Sequence, residues 1–277
     1  MKSFEKLENR YRLTGALVLC QAAHVGCGEG KDLIDSLFVR DGSGKRFIPG
    51  SSLRGALRST AERLMGSLAP GKTCLLDAGT STKCPTSNEE NRKVFQEMVK
   101  KQEKQGKQGK EKVLFEFLQN HLCDTCKVFG SPFMASRVGI ADLYPQNGNP
   151  DTQERHGVGI SRDTETAAAG VLFCYEVVDR EEKFKFELWA ENMEDTDLGV
   201  LGLGLLEMMN GDFWVGAKAA AGLGQCRLEE QGLKLEYFED IEGLRHYLKE
   251  GKFLQSETGA GVKEFIKQRV ETLIGSL

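Results

Sequence analysis

Five side chains in one stretch have the types and spacing of metal ligands. Cys123 and Cys126 form a Cys-x-x-Cys pair, and Cys74, Cys84 and His121 precede it. Structural zinc takes four nitrogen or sulfur ligands in a tetrahedron, and a Cys-x-x-Cys pair supplies two of them from one tight turn. The stretch therefore predicts a structural zinc site made by four of these five residues. A redox pair or unrelated thiols are the alternatives, but a thioredoxin-like pair should open a helix in a βαβ setting, which this sequence lacks.

A second group of residues could bind phosphate. Residues 49–52 read Pro-Gly-Ser-Ser and open a predicted helix, with Ser51 or Ser52 as the expected N-cap. Arg54 and Arg58 follow four residues apart, on one helical face. Free N–H groups, the positive end of a helix dipole and two guanidinium groups together favour phosphate. The alternative is an ordinary capped helix with solvated arginines.

Possible acid–base groups precede this helix. A glycine-rich loop begins at His24 and leads to Asp32 and Asp35. A loop carboxylate beside a phosphate can hold Mg²⁺ or orient a nucleophile, and a histidine can act as a general base.

Further along, Lys218 lies in a glycine-rich segment over residues 216–224 and could meet a phosphate. Solvated turn acids, a structural histidine and a plain crossover loop are the alternatives.

The composition limits the classes of function. The chain has 277 residues, which is long enough for a sizeable core. Its net charge is -4, so the protein is not basic overall. Any nucleic-acid surface must then be a local patch. We expect a cytoplasmic protein, because no apolar run could span a bilayer and the first residues lack a signal-peptide core. The eight cysteines do not suggest a secreted disulfide scaffold.

Hydrophobic periodicity predicts the elements that position these groups. Strands are expected at residues 10–23, 136–144 and 183–190, and a strand or hairpin at 225–237. Helices are expected at 52–68, 88–99, 113–121, 198–210 and in two pieces within 241–277. Hairpins are expected at residues 38–47, with an Asp-Gly turn, and at 158–178, with a tip of small residues, after a polar loop at 145–157. This order favours an α+β fold with a ferredoxin-like split unit.

One stretch looks like an insertion into that unit. We expect a single domain over residues 1–277, with a zinc-bearing insertion at 71–130 and a helical tail at 238–277. Within the insertion, residues 100–112 are lysine-rich and of low complexity, which predicts a disordered or solvated connection.

Four motifs occur together in a fixed order. They are Pro-Gly-Ser-Ser-Leu-Arg-Gly at 49–55, Cys-x-x-Cys-Lys-Val-Phe-Gly-Ser at 123–131, Ile-Ser-Arg-Asp-Thr at 160–164 before Gly-Val-Leu-Phe at 170–173, and Gly-Leu-Gly at 222–224. Over residues 11–235 the chain resembles the RAMP superfamily, specifically the repeating backbone subunit of type III CRISPR–Cas effector complexes. The glycine-rich loop departs from the family pattern, because Lys218 and Arg227 are its only cations.

The resemblance implies a modified RRM palm that binds guide CRISPR RNA along a filament of like subunits, with other effector subunits and target RNA as partners. It implies a β-hairpin thumb at residues 160–169 that kinks guide and target. It implies that Asp35, in Ile-Asp-Ser, cleaves target RNA with Mg²⁺ or Mn²⁺, through attack of the target's own 2′-OH on the adjacent phosphate. The expected RNA-binding residues are His24, Ser51, Ser52, Arg54, Arg58, Arg162 and Lys218.

Two alternatives stay open at this point. The chain could be a non-catalytic RNA-binding subunit of the same complex, with Asp35 as a turn residue. It could also be a guide-processing endoribonuclease that uses His24 without a metal.

Overall fold

An antiparallel sheet centred on β1 (Arg10–Leu19) organises the fold. The computed structural model describes residues 1–28, 30, 34–76, 82–103 and 110–277. β1 pairs with β5 (Lys183–Glu191) on one side and with β7 (Gln225–Leu228) and β8 (Lys234–Phe238) on the other. β2 (Val138–Ile140) extends the sheet beyond β5, β6 (Phe213–Trp214) pairs with β7, and β9 (Gln255–Thr258) pairs with β8.

The strand order β2-β5-β1-β7 is that of a ferredoxin-like unit, in which the first and third strands lie at the centre. Two helices complete the unit: α1 (Gly50–Leu68) follows the first strand and α5 (Asp195–Asn210) follows the third. Alternate residues of β1, such as Leu13 and Leu17, are buried in one core with the apolar faces of both helices. The predicted α+β fold is confirmed.

The C-terminal part is helical and packs on this core. α6 (Ile241–Glu250) and α7 (Ala260–Gly275) are the two predicted pieces, with β9 between them. α7 packs against α5 through Val262, Ile266, Val270 and Leu273, all of which are buried. A short 3-10 turn, Ala219–Ala221, lies in the glycine-rich segment before β7.

A separate two-stranded hairpin leaves the unit between β2 and β5. It consists of β3 (Thr152–Ile160) and β4 (Ala167–Val178). The prediction of a polar loop at 145–157 is wrong from residue 152 onward. Polar residues 152–156 form a strand because they pair with β4, and their mostly exposed side chains leave no alternating pattern in the sequence.

The insertion has a small core of its own. α2 (Glu89–Glu103), α3 (Lys110–His121) and α4 (Asp124–Phe129) surround buried apolar side chains that include Phe95 and Leu118. Of the predicted disordered connection, residues 100–103 and 110–112 are helical, and residues 104–109 lie outside the described residues. Within the part of the chain described here, no helix is long and apolar enough to cross a membrane.

Several predicted elements differ in extent. The strand predicted at 10–23 ends at Leu19, and residues 225–237 form two separate strands, β7 and β8, that both pair with β1. The strand at 136–144 is regular only in β2, and its end continues as single bridges from Leu143 to Ile48 and from Pro145 to Phe184. The hairpin at 38–47 is reduced to one bridge between Arg40 and Arg46. Asp41 closes its turn by accepting hydrogen bonds from the N–H groups of residues 43 and 45, so side-chain bonding replaces the ladder.

Candidate functional site

The loop after β1 returns to the base of the β3–β4 hairpin. There the N–H of Asp35 donates to the carbonyl of Cys174 at 2.9 Å, and the N–H of Glu176 donates to the carbonyl of Ser36 at 3.0 Å. Ser36 forms a parallel bridge with Tyr175. This segment thus lies along the edge of β4 that β3 leaves open.

Asp35 is exposed, and its carboxylate is held at one oxygen. Its Oδ2 accepts a hydrogen bond from the N–H of Cys174 at 2.6 Å. A Cβ at Gly30 would lie 2.6 Å from the carbonyl oxygen of Ile34, so only glycine lets the loop close this tightly behind the carboxylate. Asp32, the other candidate acid, lies outside the described residues.

His24 is buried, and both of its ring nitrogens are bonded. Its Nδ1 lies 2.6 Å from the carbonyl oxygen of Glu176, and its Nε2 lies 3.1 Å from Ser36 Oγ. Because a carbonyl only accepts, Nδ1 donates, and Nε2 of the neutral ring accepts from the serine hydroxyl. His24 therefore anchors the segment that carries Asp35, and it presents no ring nitrogen to solvent.

Glu176 is a residue of the candidate site that no sequence pattern indicated. Burial raises the pKa of this carboxyl group, but hydrogen bonds from Thr152, Arg46, Arg40 and the N–H of Phe38 outweigh burial and lower it to about 2. The buried carboxylate joins the loop after β1 to both strands of the hairpin. No local signal could have found it, because its partners lie up to 138 positions away along the chain.

Lys218 faces the hairpin from the glycine-rich segment. Its Nζ lies 4.4 Å from the ring centroids of both Phe173 and Tyr175, within cation–π range. Lys218 itself is exposed. The structure therefore brings Asp35, the hairpin base and this cation together on one side of the molecule.

The N-terminus of α1 is capped differently from the prediction. The N-cap residue is Pro49, which makes no side-chain cap, so the assignment of Ser51 or Ser52 as N-cap is wrong. The N–H of Gly50 donates to Oδ1 of Asp142 at 2.8 Å. A carboxylate that follows β2 caps the helix from outside, since the close packing of Gly50 on β2 brings it there.

The two arginines of α1 have different surroundings. Arg58 is bonded inside the protein, to Glu62 at 2.8 Å, to the carbonyl of Gly130 at 2.9 Å and to Sγ of Cys126 at 3.3 Å. Arg54 is half-buried and has no hydrogen-bond or ion-pair partner among the described residues. Of the predicted pair, Arg54 is the one whose guanidinium group is free to meet a phosphate.

The tip of the hairpin is exposed. Arg162 lies in its turn and is exposed. Apolar side chains on both strands are also exposed, with Ile160 at 64% and Leu172 at 71%. Apolar groups this exposed on a projecting hairpin are typical of a surface that contacts a partner.

The four cysteines of the insertion converge. Cys74, Cys84, Cys123 and Cys126 are buried, and their sulfur atoms all lie within 4.8 Å of one another. The Sγ atoms of Cys74 and Cys126 are 3.6 Å apart. In a tetrahedron with metal–sulfur bonds of about 2.3 Å, sulfur atoms are about 3.8 Å apart. The cluster can hold a metal ion, and its chemistry fits zinc.

His121 is not part of this cluster. Its Nδ1 lies 2.8 Å from the carbonyl oxygen of Phe117, and its ring stacks on that of Phe117 with centroids 4.0 Å apart. Of the five predicted ligands, the structure thus brings together the four thiols. The spacing in the sequence could not show which four of the five residues are ligands. His121 bonds back to α3, whereas Cys74 and Cys84 reach the cluster from the segment before α2.

The thiols influence one another's protonation. Hydrogen bonds from Cys123 and Cys126 lower the pKa of the Cys84 thiol, and the same two groups lower that of Cys74 to about 7. Hydrogen bonds from Cys123 and then Cys74 raise the pKa of Cys126. Metal binding requires deprotonated thiols, so a metal ion bound here would release protons from the cluster.

The fold and the site define a mixed α+β protein with a projecting hairpin and a cysteine-rich insertion. A family model described as the RAMP superfamily matches residues 17–227. The match covers most of the chain, and the chain belongs to the RAMP superfamily. Membership in this family suggests a CRISPR-associated function in RNA binding. A search of curated proteins found no match to the chain.

Proposed function

We propose that this chain is a guide-RNA-binding backbone subunit of a type III CRISPR effector complex and that it cleaves complementary target RNA at Asp35. One observation carries the proposal. Asp35 is an exposed carboxylate anchored at the base of a projecting hairpin, in a member of the RAMP superfamily. Other effector subunits and like copies of the chain are the proposed partners.

The hairpin β3–β4 is the proposed thumb. Exposed apolar side chains on both strands, such as Ile160 and Leu172, suit insertion beside a displaced base pair. Asp35 lies beside β4, so a target strand kinked at the hairpin would pass the carboxylate. Lys218 and Arg162 are exposed cations at the base and the tip of the same hairpin, where each could contact a phosphate.

The guide-binding surface is proposed at the N-terminal turn of α1. Ser51 is exposed, Ser52 is half-buried, and Arg54 has no partner among the described residues. The carboxylate of Asp142 already accepts the hydrogen bond from the N–H of Gly50 at the helix end. The side chains of the arginine and the serines, rather than the backbone N–H groups, would therefore hold the phosphate. Guide and target would then meet different parts of the chain.

The proposed chemistry is attack of the target's 2′-OH on the adjacent phosphate, which forms a 2′,3′-cyclic phosphate. The bond from phosphorus to the 5′-oxygen of the next nucleotide breaks, and that oxygen leaves as a hydroxyl group after it takes a proton from water. Asp35 would accept the hydroxyl proton, and the hydrogen bond from the N–H of Cys174 to its Oδ2 would hold the carboxylate in position. Mg²⁺ commonly binds through one or two carboxylates, waters and substrate phosphates, so a single exposed aspartate fits it. A Mg²⁺ or Mn²⁺ ion bound there would stabilise charge on the phosphate.

The insertion at residues 71–130 is the proposed zinc-binding part of a single domain, with the helical tail at 238–277 packed on the core. The four-cysteine cluster would hold the zinc ion. Since Arg58 bonds both Cys126 and Glu62, this cluster would also fix the position of α1.

The test is cleavage by the assembled complex with Asp35→Ala or Asp35→Asn in this subunit. We expect cutting of matched target RNA to fall at least about 100-fold, because the proposed proton acceptor is lost. Guide binding should stay within about twofold of the wild type, since Asp35 does not lie at the α1 surface. Cleavage is measured on labelled target RNA, with and without EDTA.

Asp212→Asn is the matched control, because Asp212 is exposed and follows α5 on another part of the surface. Cutting should be unchanged in this control. Unchanged cutting in the Asp35 variants would reject the site and favour a non-catalytic RNA-binding subunit. Metal-independent cutting of repeat RNA by the isolated chain would favour a guide-processing enzyme, although His24 is buried and bonded.

A further inference from the structure

Three metal-ligand side chains meet on one face of the β3–β4 hairpin. His156 lies opposite Cys174 in the strand register, and Glu154 is two residues from His156 and so shares its face. One ligand atom from each of these side chains lies within 4.8 Å of the others. Glu154 and His156 are exposed, and Cys174 is buried beneath them.

We propose that Glu154, His156 and Cys174 bind a divalent transition-metal ion of the zinc class, at a site separate from the four-cysteine cluster. A thiolate together with an imidazole selects zinc-like ions over Mg²⁺ and Ca²⁺, which prefer oxygen alone. Three protein ligands leave one tetrahedral position open, as in zinc sites that accept a water or another ligand.

The three side chains are free to take an ion. Among the described residues, none of the three ligand groups has a hydrogen-bond or ion-pair partner. The nearby cations are already placed elsewhere, because Arg40 and Arg46 both bond Glu176. Arg155 alternates to the other face of β3, opposite Tyr175. None of these three arginines therefore competes with a metal ion for the ligand groups.

The backbone holds the ligands in place before the ion arrives. β3 and β4 pair in continuous register from Thr152↔Val178 to Val158↔Leu172, and the segment that carries Asp35 hydrogen-bonds the other edge of β4. Two of the ligands lie on β3, and the third, Cys174, lies directly across from His156 and diagonally across from Glu154. The backbone is thus already ordered, and binding has to fix only the side-chain rotamers of the ligands.

This site borders Asp35, which hydrogen-bonds the N–H of Cys174. The proposal does not rest on RNA cleavage, however, and it stands if the chain only binds RNA. Its test therefore measures metal content directly and needs no guide or target.

The experiment compares zinc bound to the full chain with zinc bound to His156→Ala. Both proteins are dialysed against micromolar Zn²⁺, and zinc per chain is measured by mass spectrometry. We expect about two zinc ions per wild-type chain and about one per variant chain, since the four-cysteine cluster stays intact. Glu154→Gln should weaken the second ion at least about tenfold in competition with a chelating dye.

Arg155→Ala is the control, because it changes the neighbouring exposed residue on the opposite face. It should bind as much zinc as the wild type. Substitution with Co²⁺ adds a second readout, the intensity of the thiolate-to-cobalt absorption bands. His156→Ala should keep the bands of the four-cysteine cluster and lose the contribution of the Cys174 thiolate. Equal zinc content in the wild type and His156→Ala would overturn the proposal, and unchanged circular dichroism would show that the variant is folded.

Discussion

At the scale of single residues, Glu176 connects parts of the chain that no local pattern relates. One buried carboxylate binds two arginines, a threonine and a backbone N–H, and so fixes the loop after β1 on the hairpin. Asp35 depends on this arrangement, because its own partner, Cys174, is two residues away on β4. The position of the proposed catalytic carboxylate is thus set by a neighbouring charge.

Replacing Glu176 with glutamine should lower the free energy of unfolding by about 2–3 kcal/mol at pH 7, because two arginines then lose their buried counter-charge. The pKa of Glu176 is lowered in the folded protein, so its contribution is complete above its ordinary value of 4.5 and is lost as the pH falls toward about 2. Urea unfolding at several pH values measures the difference between the wild type and the variant.

This difference should shrink between pH 4.5 and pH 2. Glu271→Gln is the control, since Glu271 is exposed on α7 and its loss should change stability by less than about 0.5 kcal/mol. A difference that stayed constant at low pH would mean that the ionised carboxylate is not what stabilises the hairpin base.

At the scale of elements, α1 shows why a helix was predictable and its cap was not. Leu53, Leu57, Ala61 and Met65 recur at helical spacing, and all four are buried. The cap comes from Asp142, which lies 92 positions further along the chain. Gly50 must pack directly on β2 for this to happen, because a Cβ there would overlap the carbonyl of Ile140.

Gly50→Ala should lower the free energy of unfolding by about 2 kcal/mol, because the added methyl group pushes α1 away from β2 and from its cap. Gly55→Ala is the matched control in the same helix. Gly55 is exposed with open space around it, so alanine there should add about 0.5–1 kcal/mol through helix propensity. Thermal unfolding followed by circular dichroism measures both. Equal effects of the two substitutions would show that close packing at Gly50 does not matter.

At the scale of the whole molecule, the chain has a large core around the sheet and a small one in the insertion. The small core joins the four cysteines to Phe95, Leu118, Leu122 and Met134. An apolar core of this size supplies little stability, so a metal ion would have to hold the insertion together. None of those cysteines belongs to the sheet core, although Val128 and Phe129 of α4 pack in it.

Cys126→Ser, or removal of zinc with a strong chelator, should therefore loosen the insertion and leave the sheet folded. Hydrogen exchange should rise by at least about tenfold in α2 and α3, while β1 and β5 stay protected. Cys20→Ser is the control, because this half-buried cysteine lies outside the cluster. Unchanged exchange in the metal-free protein would contradict a structural role for the four-cysteine cluster.

The sequence by itself determined the helices with long apolar periods, the alternation of β5, the α+β order and the grouping of cysteines. These features depend on neighbours within a few positions, where periodicity and spacing carry the signal. It also identified the family through motifs that are short and contiguous, and it singled out Asp35 on that resemblance.

Only the tertiary structure decided which groups meet. The tertiary contacts bring four thiols together without His121, cap α1 with Asp142 and bond Arg58 internally. They also bury His24 and surround the carboxylate of Glu176, on β4, with partners from the loop after β1. Each of these outcomes depends on partners far apart in the chain. Because a side chain's role depends on which distant atoms satisfy its charge or hydrogen bonds, local patterns cannot determine it.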